Sequence, residues 1–200
     1  MVNDFASRGA WLSEAEILQC TLVLQNSKQP RIDPVEPPYQ PEVATALAAL
    51  GPPIALFRLF ARKPERAHAI HAWGRYYLSR HLSLSLRDRE LVIDRTTARC
   101  GADYEWSIHL SVYAAKAGLT DAQIASLQTG YGRDPCWDTH DRAVIDAVDA
   151  LHDHNDLDDA HWDRLVDAVG PDGAIDLLLV CGWYHAISYV ARCTRLAPEP

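Results

Sequence analysis

Two glutamates and a histidine in the middle of the chain have the residue types and spacing that acid–base chemistry requires. Glu105 and His109 are four residues apart, so on a helix they would share one face, about 6 Å from each other. A carboxylate there can orient the imidazole and raise its pKa, which favours a proton-donating form. Glu90 lies 19 residues before His109, which is about half of each of two helices plus the turn between them. An antiparallel hairpin of those helices would therefore bring the two side chains together. The pattern fits a solvated surface pair as well.

The elements that must position these groups are predicted to be helices. Apolar and aromatic residues between Glu65 and Arg80 recur at helical spacing. Ser85 to Asp88 forms a capping box that would open a helix running to about Cys100. Gly101 then breaks the chain, and a second helix is predicted from Asp103 to Ala117, with Gly118 as its terminating residue.

The rest of the chain continues the helical pattern. A second capping box spans Thr120 to Gln123, and further helices are predicted over Thr139–His154, Asp158–Val169 and Pro171–Cys193. No sustained alternation of period two marks a strand or hairpin. The sequence therefore predicts an all-α fold of about six to eight helices.

Proline divides the chain into two parts. Gln29 to Pro41 holds five prolines in thirteen residues, which predicts an extended segment. We therefore expect an N-terminal arm over residues 1–40, made of a short helix near Leu12–Leu24 and this strap. A helical domain over residues 41–200 would follow. The strap would lie on the surface of its own domain or be exchanged with a second subunit.

Composition excludes several classes of partner. The formal charge of −8, from 19 basic and 27 acidic residues, argues against nucleic-acid binding but not against a small anionic substrate. Five cysteines without a CxxC pair predict free thiols in a reducing cytoplasm. The most apolar stretch, Ala174 to Val190, is interrupted by Asp176 and His185, so no membrane span is expected.

The central residues resemble a known family. The segments that carry the likeness are Arg89–Ile93, Gly101, Tyr104–His109, Ala117–Thr120, Leu56–Arg62 and Gly182–His185. Together they look like the carboxymuconolactone decarboxylase family, which includes the alkylhydroperoxidase D-like (AhpD-like) proteins. The resemblance covers about 160 of the 200 residues. It implies an AhpD-like helical bundle that assembles into trimers or hexamers.

The resemblance also implies roles for the acid–base residues. It makes His109 the general acid/base, Glu105 its orienting partner and Glu90 a second carboxylate in the relay. In the peroxidase branch a CxxC precedes the histidine, whereas here Ala102 and Glu105 stand at those two positions. The chain is therefore expected to follow the decarboxylase branch and not to be a CxxC peroxidase. Decarboxylation of a lactone acid needs neither a cofactor nor a metal, because the substrate accepts the electrons.

Candidate substrate-binding residues surround these three. Arg95 or Arg99 could hold a substrate carboxylate, although Arg95 could equally pair with Asp94 or Glu90. The others are three aromatic residues and a histidine that could either line a pocket or pack in the core: Tyr104, Trp106, Tyr113 and His185.

No metal site is expected from spacing. His68 and His71 lack a third ligand, and the acidic run around His152 and His154 does not match a calcium loop.

We therefore expect a cytoplasmic, homo-oligomeric lyase of aromatic-compound catabolism that decarboxylates a small lactone or organic acid. One alternative is another proton-transfer enzyme (an isomerase, dehydratase or hydrolase) built on the same residues. The other is a non-enzymatic binding protein, in which His109 would be buried and satisfied with no cavity beside it. A third alternative is a residual peroxidase that uses Cys100 with another cysteine.

Overall fold

The computed structural model describes residues 29–199, and within them every regular element is a helix. There are eight: α1 (Pro41–Leu50), α2 (Ala55–Phe60), α3 (Pro64–Tyr77), α4 (Leu86–Arg99), α5 (Asp103–Tyr113), α6 (Asp121–Thr129), α7 (Thr139–His154) and α8 (Asp159–Thr194). The predicted all-α class is confirmed. The predicted helix near Leu12–Leu24 lies outside the described residues.

Local sequence signals explain where the helices begin and end. Both predicted capping boxes are present, with Ser85 accepting from the backbone of Asp88 and Thr120 from that of Gln123. The α5 helix ends at Tyr113, four residues earlier than predicted, and its last turn gives way to a turn closed by Gly118 at φ 68°.

The last two predicted helices run together as α8. Gly170 adopts φ 75° and ψ 168° between them, which kinks the element at the point where Pro171 was expected to start a new helix. The α8 helix is long and apolar enough to cross a membrane, but half of its most apolar 18-residue stretch is buried inside the protein. Asp176 within it is buried and accepts hydrogen bonds from Tyr76 and the backbone of Ser83.

The α4 helix is the centre of the bundle. It packs against α5, α6, α7 and α8, and every residue from Asp88 to Thr97 is buried. The main apolar core forms around it from residues such as Leu91, Ile93, Val144 and Leu177. A second core joins α1, α2 and the start of α3 to the far part of α8.

The proline-rich segment lies against the helical body of the same chain. The backbone N–H of Arg31 donates to the carbonyl of Thr194 at 2.8 Å, and the Arg62 guanidinium donates to the carbonyl of Asp33 at 2.7 Å. Glu36 pairs with Arg58 on α2. These contacts fasten residues 29–40 across the α2 helix and the end of α8.

Candidate active site

A tight helical hairpin brings the predicted acid–base residues together. Gly101 adopts φ 62° between α4 and α5, a left-handed conformation that glycine takes without strain. The two helices then run back along each other, and Glu90 Oε2 lies 2.9 Å from His109 Nδ1. The contact predicted from the spacing of these two residues is therefore present, at a depth where Glu90 has no exposed surface.

The Glu90–His109 pair belongs to a longer buried chain of hydrogen bonds. The Arg89 guanidinium donates to Glu90 Oε1 at 2.6–2.7 Å, which offsets the charge of the buried carboxylate. At the other end, the Tyr184 hydroxyl lies 3.0 Å from His109 Nε2. Burial raises the pKa of Tyr184 well above its usual range, so the hydroxyl stays protonated and donates a hydrogen bond to His109 Nε2. That arrangement places the ring proton on Nδ1, facing Glu90.

Glu105 occupies a different position from the one that the sequence predicts. It was expected to orient His109, but the hydrogen bond to Nδ1 is made by Glu90, which the antiparallel α4 helix places 2.9 Å away. Among the described residues Glu105 Oε1 is buried without a hydrogen-bond partner. Burial raises the pKa of this carboxyl to about 7, and the nearby His109 limits the rise. Glu105 is thus a carboxyl that can give or take a proton near neutral pH.

Asp94 is a second buried acid, one turn after Glu90 on α4. It is 1% exposed, and neither carboxylate oxygen has a partner within the described chain. Burial raises its pKa to about 7; His109 opposes the rise and the Glu90 charge adds to it. Asp94 does not line the cavity described next, so it affects the site only through its charge.

A cavity of about 720 Å³ opens beside the Glu90–His109–Tyr184 chain of hydrogen bonds. Glu105, His109, Tyr113 and Tyr184 form its inner wall. The remaining surface is largely apolar, with residues such as Leu50, Phe57, Phe60, Ile108, Val112, Trp183 and Ile187. The volume suits a small organic molecule.

Arg95 and Arg99 do not reach this cavity, so the prediction that they bind substrate there is wrong. Both project from α4 towards α7 instead. Arg95 forms a two-point pair with Asp149, at 2.6 and 2.8 Å, and donates to the carbonyl of Leu127. Arg99 pairs with Asp153. Neither of the partners considered for Arg95, Asp94 or Glu90, is the one it takes.

Of the three predicted aromatic residues, only Tyr113 lines the cavity. The centroid of the Tyr113 ring is 5.5 Å from that of His109, and the Arg89 guanidinium carbon lies 5.0 Å from the Tyr113 centroid. Tyr104 points towards α2, where its hydroxyl accepts from the backbone of Leu56 and bonds Glu199. Trp106 packs in the main core. Of the two interpretations, pocket lining and core packing, Tyr104 and Trp106 follow core packing, because their side chains face away from the inner side of the hairpin.

His185 also lies away from the cavity, contrary to its predicted place in the pocket wall. It is one residue from Tyr184 on α8, and a helix turns successive side chains by about 100°. Its ring meets His152 and Cys181 on the opposite side of α8. It lines a second, smaller cavity with Cys100 and Arg192.

Sequence reasoning missed three residues at the main cavity. Tyr184 bonds the catalytic candidate His109, and His71 and Arg75 on α3 line the cavity. Tyr184 lies in the Gly182–His185 segment that carried the resemblance, in which the residue types favoured the neighbouring histidine as the candidate. Within the described ranges Arg75 has no ion-pair partner, so its positive charge is free to meet a ligand.

Solved structures with the same fold include a protein of unknown function related to AhpD, an uncharacterized peroxidase-related protein and a debrominase. A protein of unknown function from Agrobacterium tumefaciens, related in its description to the defence protein AhpD, has a TM-score of 0.62 and 18% identity. The match covers 70% of this chain and 94% of that one. An uncharacterized peroxidase-related protein from Silicibacter sp. TM1040 has a TM-score of 0.68 and 19% identity, covering 85% and 89% of the two chains.

The debrominase Bmp8, in complex with 2,3,4-tribromopyrrole, has a TM-score of 0.66 and 15% identity. That match covers 84% of this chain and 91% of that one. No family model and no curated protein matches the sequence. The fold is therefore that of the AhpD-like proteins, and the fold alone does not define the reaction.

Proposed function

We propose that the protein is a cofactor-independent acid–base enzyme that decarboxylates a small lactone or organic acid. The observation that carries the proposal is the placement of Glu105. Its carboxyl, with a pKa of about 7, lies in the wall of the cavity next to the Glu90–His109–Tyr184 chain. A proton donor and a fixed imidazole beside a largely apolar cavity are the parts that proton transfer to carbon requires.

The reaction needs only these groups and the substrate. When the bond between the ring carbon and the carboxylate breaks, CO2 leaves and its electron pair moves into the unsaturated lactone carbonyl as a dienolate. On substrate binding, the Tyr184 hydroxyl would turn its hydrogen from His109 Nε2 to the oxyanion and stabilise it. Protonated Glu105 then delivers its proton to carbon and regains one from solvent. Glu90 holds the imidazole and is not consumed.

Substrate recognition is assigned to residues different from those the sequence predicts. Arg75 and His71 line the cavity and would hold a carboxylate, whereas Arg95 and Arg99 are bound to acidic residues of α7. The apolar walls would exclude water and bind the ring by burying it.

A second candidate is a different proton-transfer reaction, such as isomerisation, on an aromatic-derived metabolite. It is favoured by the aromatic side chains at the cavity, Phe57, Phe60 and Trp183. A thiol peroxidase of the CxxC type has no such support. Within the described chain no cysteine lines the main cavity.

Turnover of 4-carboxymuconolactone tests the first proposal. We expect CO2 release by the native protein and a loss of at least about 100-fold in kcat for Glu105→Gln and His109→Gln. The matched controls Glu65→Gln and His154→Gln replace exposed residues of the same types and should retain full activity. Native-like activity in Glu105→Gln would contradict the proposal. With no turnover by the folded native protein, the decarboxylase reading fails and a screen of lactones and aromatic acids tests the second candidate.

A further inference from the structure

A second cluster of chemically active side chains lies on the far side of α8 from the acid–base cavity. Cys100 at the end of α4, His152 on α7 and His185 on α8 each offer one ligand atom, and these atoms lie within 4.8 Å of one another. Cys100 is buried and the two histidines are half-buried. Three helices converge here, so no spacing along the sequence could reveal the cluster.

We propose that Cys100, His152 and His185 form a binding site for Zn²⁺ with one coordination position left open. A thiolate and two imidazoles are a ligand set typical of zinc. A three-ligand set leaves the fourth position of the tetrahedron for water or a substrate.

The distances fit this assignment. Two nitrogen ligands on one tetrahedral zinc, each bonded at about 2.0–2.1 Å, are about 3.3 Å apart. His152 Nδ1 and His185 Nε2 are separated by 3.1 Å. The sulfur would sit about 3.6 Å from each nitrogen, so ligation would draw it in by at most about 1.2 Å.

Neighbouring groups prepare His185 for this role. Its other ring nitrogen, Nδ1, lies 2.9 Å from the carbonyl oxygen of Cys181 and donates to it. Such a bond fixes the tautomer that leaves Nε2 free, as second-shell bonds do for zinc-bound histidines.

The open position faces a small polar cavity of about 250 Å³. Arg99 and Arg192 line it together with Asn155 and Tyr189. Arg192 is tied to the carbonyl of Cys100 at 2.5 Å and Arg99 to Asp153. Two guanidiniums beside the metal favour a small anion as the fourth ligand, such as hydroxide or a carboxylate.

Cobalt substitution tests the site in the full-length protein. Titration of the metal-free protein with Co²⁺ should reach one ion per chain. It should also produce a sulfur-to-cobalt charge-transfer band, with visible bands of tetrahedral intensity that Zn²⁺ abolishes. Cys100→Ser should remove the charge-transfer band, and His152→Gln should weaken binding about tenfold or more. The controls Cys136→Ser and His154→Gln carry the same changes outside the cluster and should bind as the native protein does.

An identical cobalt spectrum in Cys100→Ser and the native protein would overturn the proposal, as would the absence of stoichiometric binding. If Cys100→Ser does not fold, X-ray absorption spectroscopy of the zinc-loaded native protein tests the ligand set instead. One sulfur and two imidazole scatterers support the site, and a shell of oxygen and nitrogen alone refutes it.

Discussion

Tyr184 holds the imidazole of His109 from the side opposite to Glu90. Removing its hydroxyl leaves Nε2 without its donor in a buried setting, which costs about 1–3 kcal/mol. We expect Tyr184→Phe to fold normally and to lower kcat by about tenfold or more, with a smaller change in KM. Steady-state kinetics on the decarboxylation substrate measure this. Tyr131→Phe, at an exposed position, is the matched control, and equal kcat in the two variants would show that Tyr184 only fills space.

Asp94 makes stability depend on pH in an unusual direction. Because burial raises its pKa from about 4 to about 7, the folded state binds a proton that the unfolded state releases. Its contribution to stability is complete below about pH 4 and is lost as pH rises to about 7, at about 1.4 kcal/mol per pH unit.

Replacing Asp94 with asparagine removes this titration. Asp94→Asn should therefore raise the free energy of unfolding at pH 8 by about 4 kcal/mol relative to the native protein, with no gain at pH 4. Urea unfolding at the two pH values measures the difference. The exposed Asp167→Asn should show none at either pH. A gain for Asp94→Asn that is equal at pH 4 and pH 8 would contradict the raised pKa.

At the scale of elements, the α4–α5 hairpin depends on one glycine. Gly101 has φ 62°, and an added Cβ would meet only the Arg192 guanidinium at 3.6 Å, an ordinary contact. The cost of Gly101→Ala therefore comes from the backbone, at about 1–2 kcal/mol. Gly182 on α8 has no heavy atom within 4 Å of an added Cβ, and Gly182→Ala should stabilise by about 0.5–1 kcal/mol. Denaturant unfolding measures both, and a Gly101→Ala variant as stable as Gly182→Ala would rule out strain at Gly101.

The helices were predictable because their signals are local. The capping boxes at Ser85 and Thr120, and the glycine after Cys100, act on residues a few positions away. The Glu90–His109 contact was predictable for the same reason, since one hairpin joins the two residues.

Residues whose partners come from distant helices were not predictable. Arg95 finds Asp149 on α7, His109 finds Tyr184 on α8, and Cys100 meets two histidines from two further helices. Which face of α4 or α8 is buried depends on how the whole bundle packs. Spacing along the chain does not contain that information.

At the scale of the whole molecule, the exposed apolar side chains predict assembly. Ile175 and Leu179 are one turn apart on α8 and are 52% and 42% exposed. We propose that this pair belongs to the surface through which the protein assembles, because large exposed apolar patches mark interfaces. The sequence resemblance to AhpD-like proteins implies trimers or hexamers. We expect light scattering after size exclusion to give three or six times 22.3 kDa. Leu179→Glu should shift the mass towards the monomer, and Tyr131→Glu should not. A native monomer would contradict this prediction.

A substrate-free titration of Glu105 tests most directly whether the main cavity is an acid–base site. The carboxyl can be followed by difference infrared spectroscopy between the native protein and Glu105→Gln as pH is varied. Burial beside His109 predicts a midpoint near pH 7, with the protonated form present at neutral pH. A midpoint near 4, the usual value for an exposed glutamate, would mean that Glu105 is ionised at neutral pH and cannot be the proton donor.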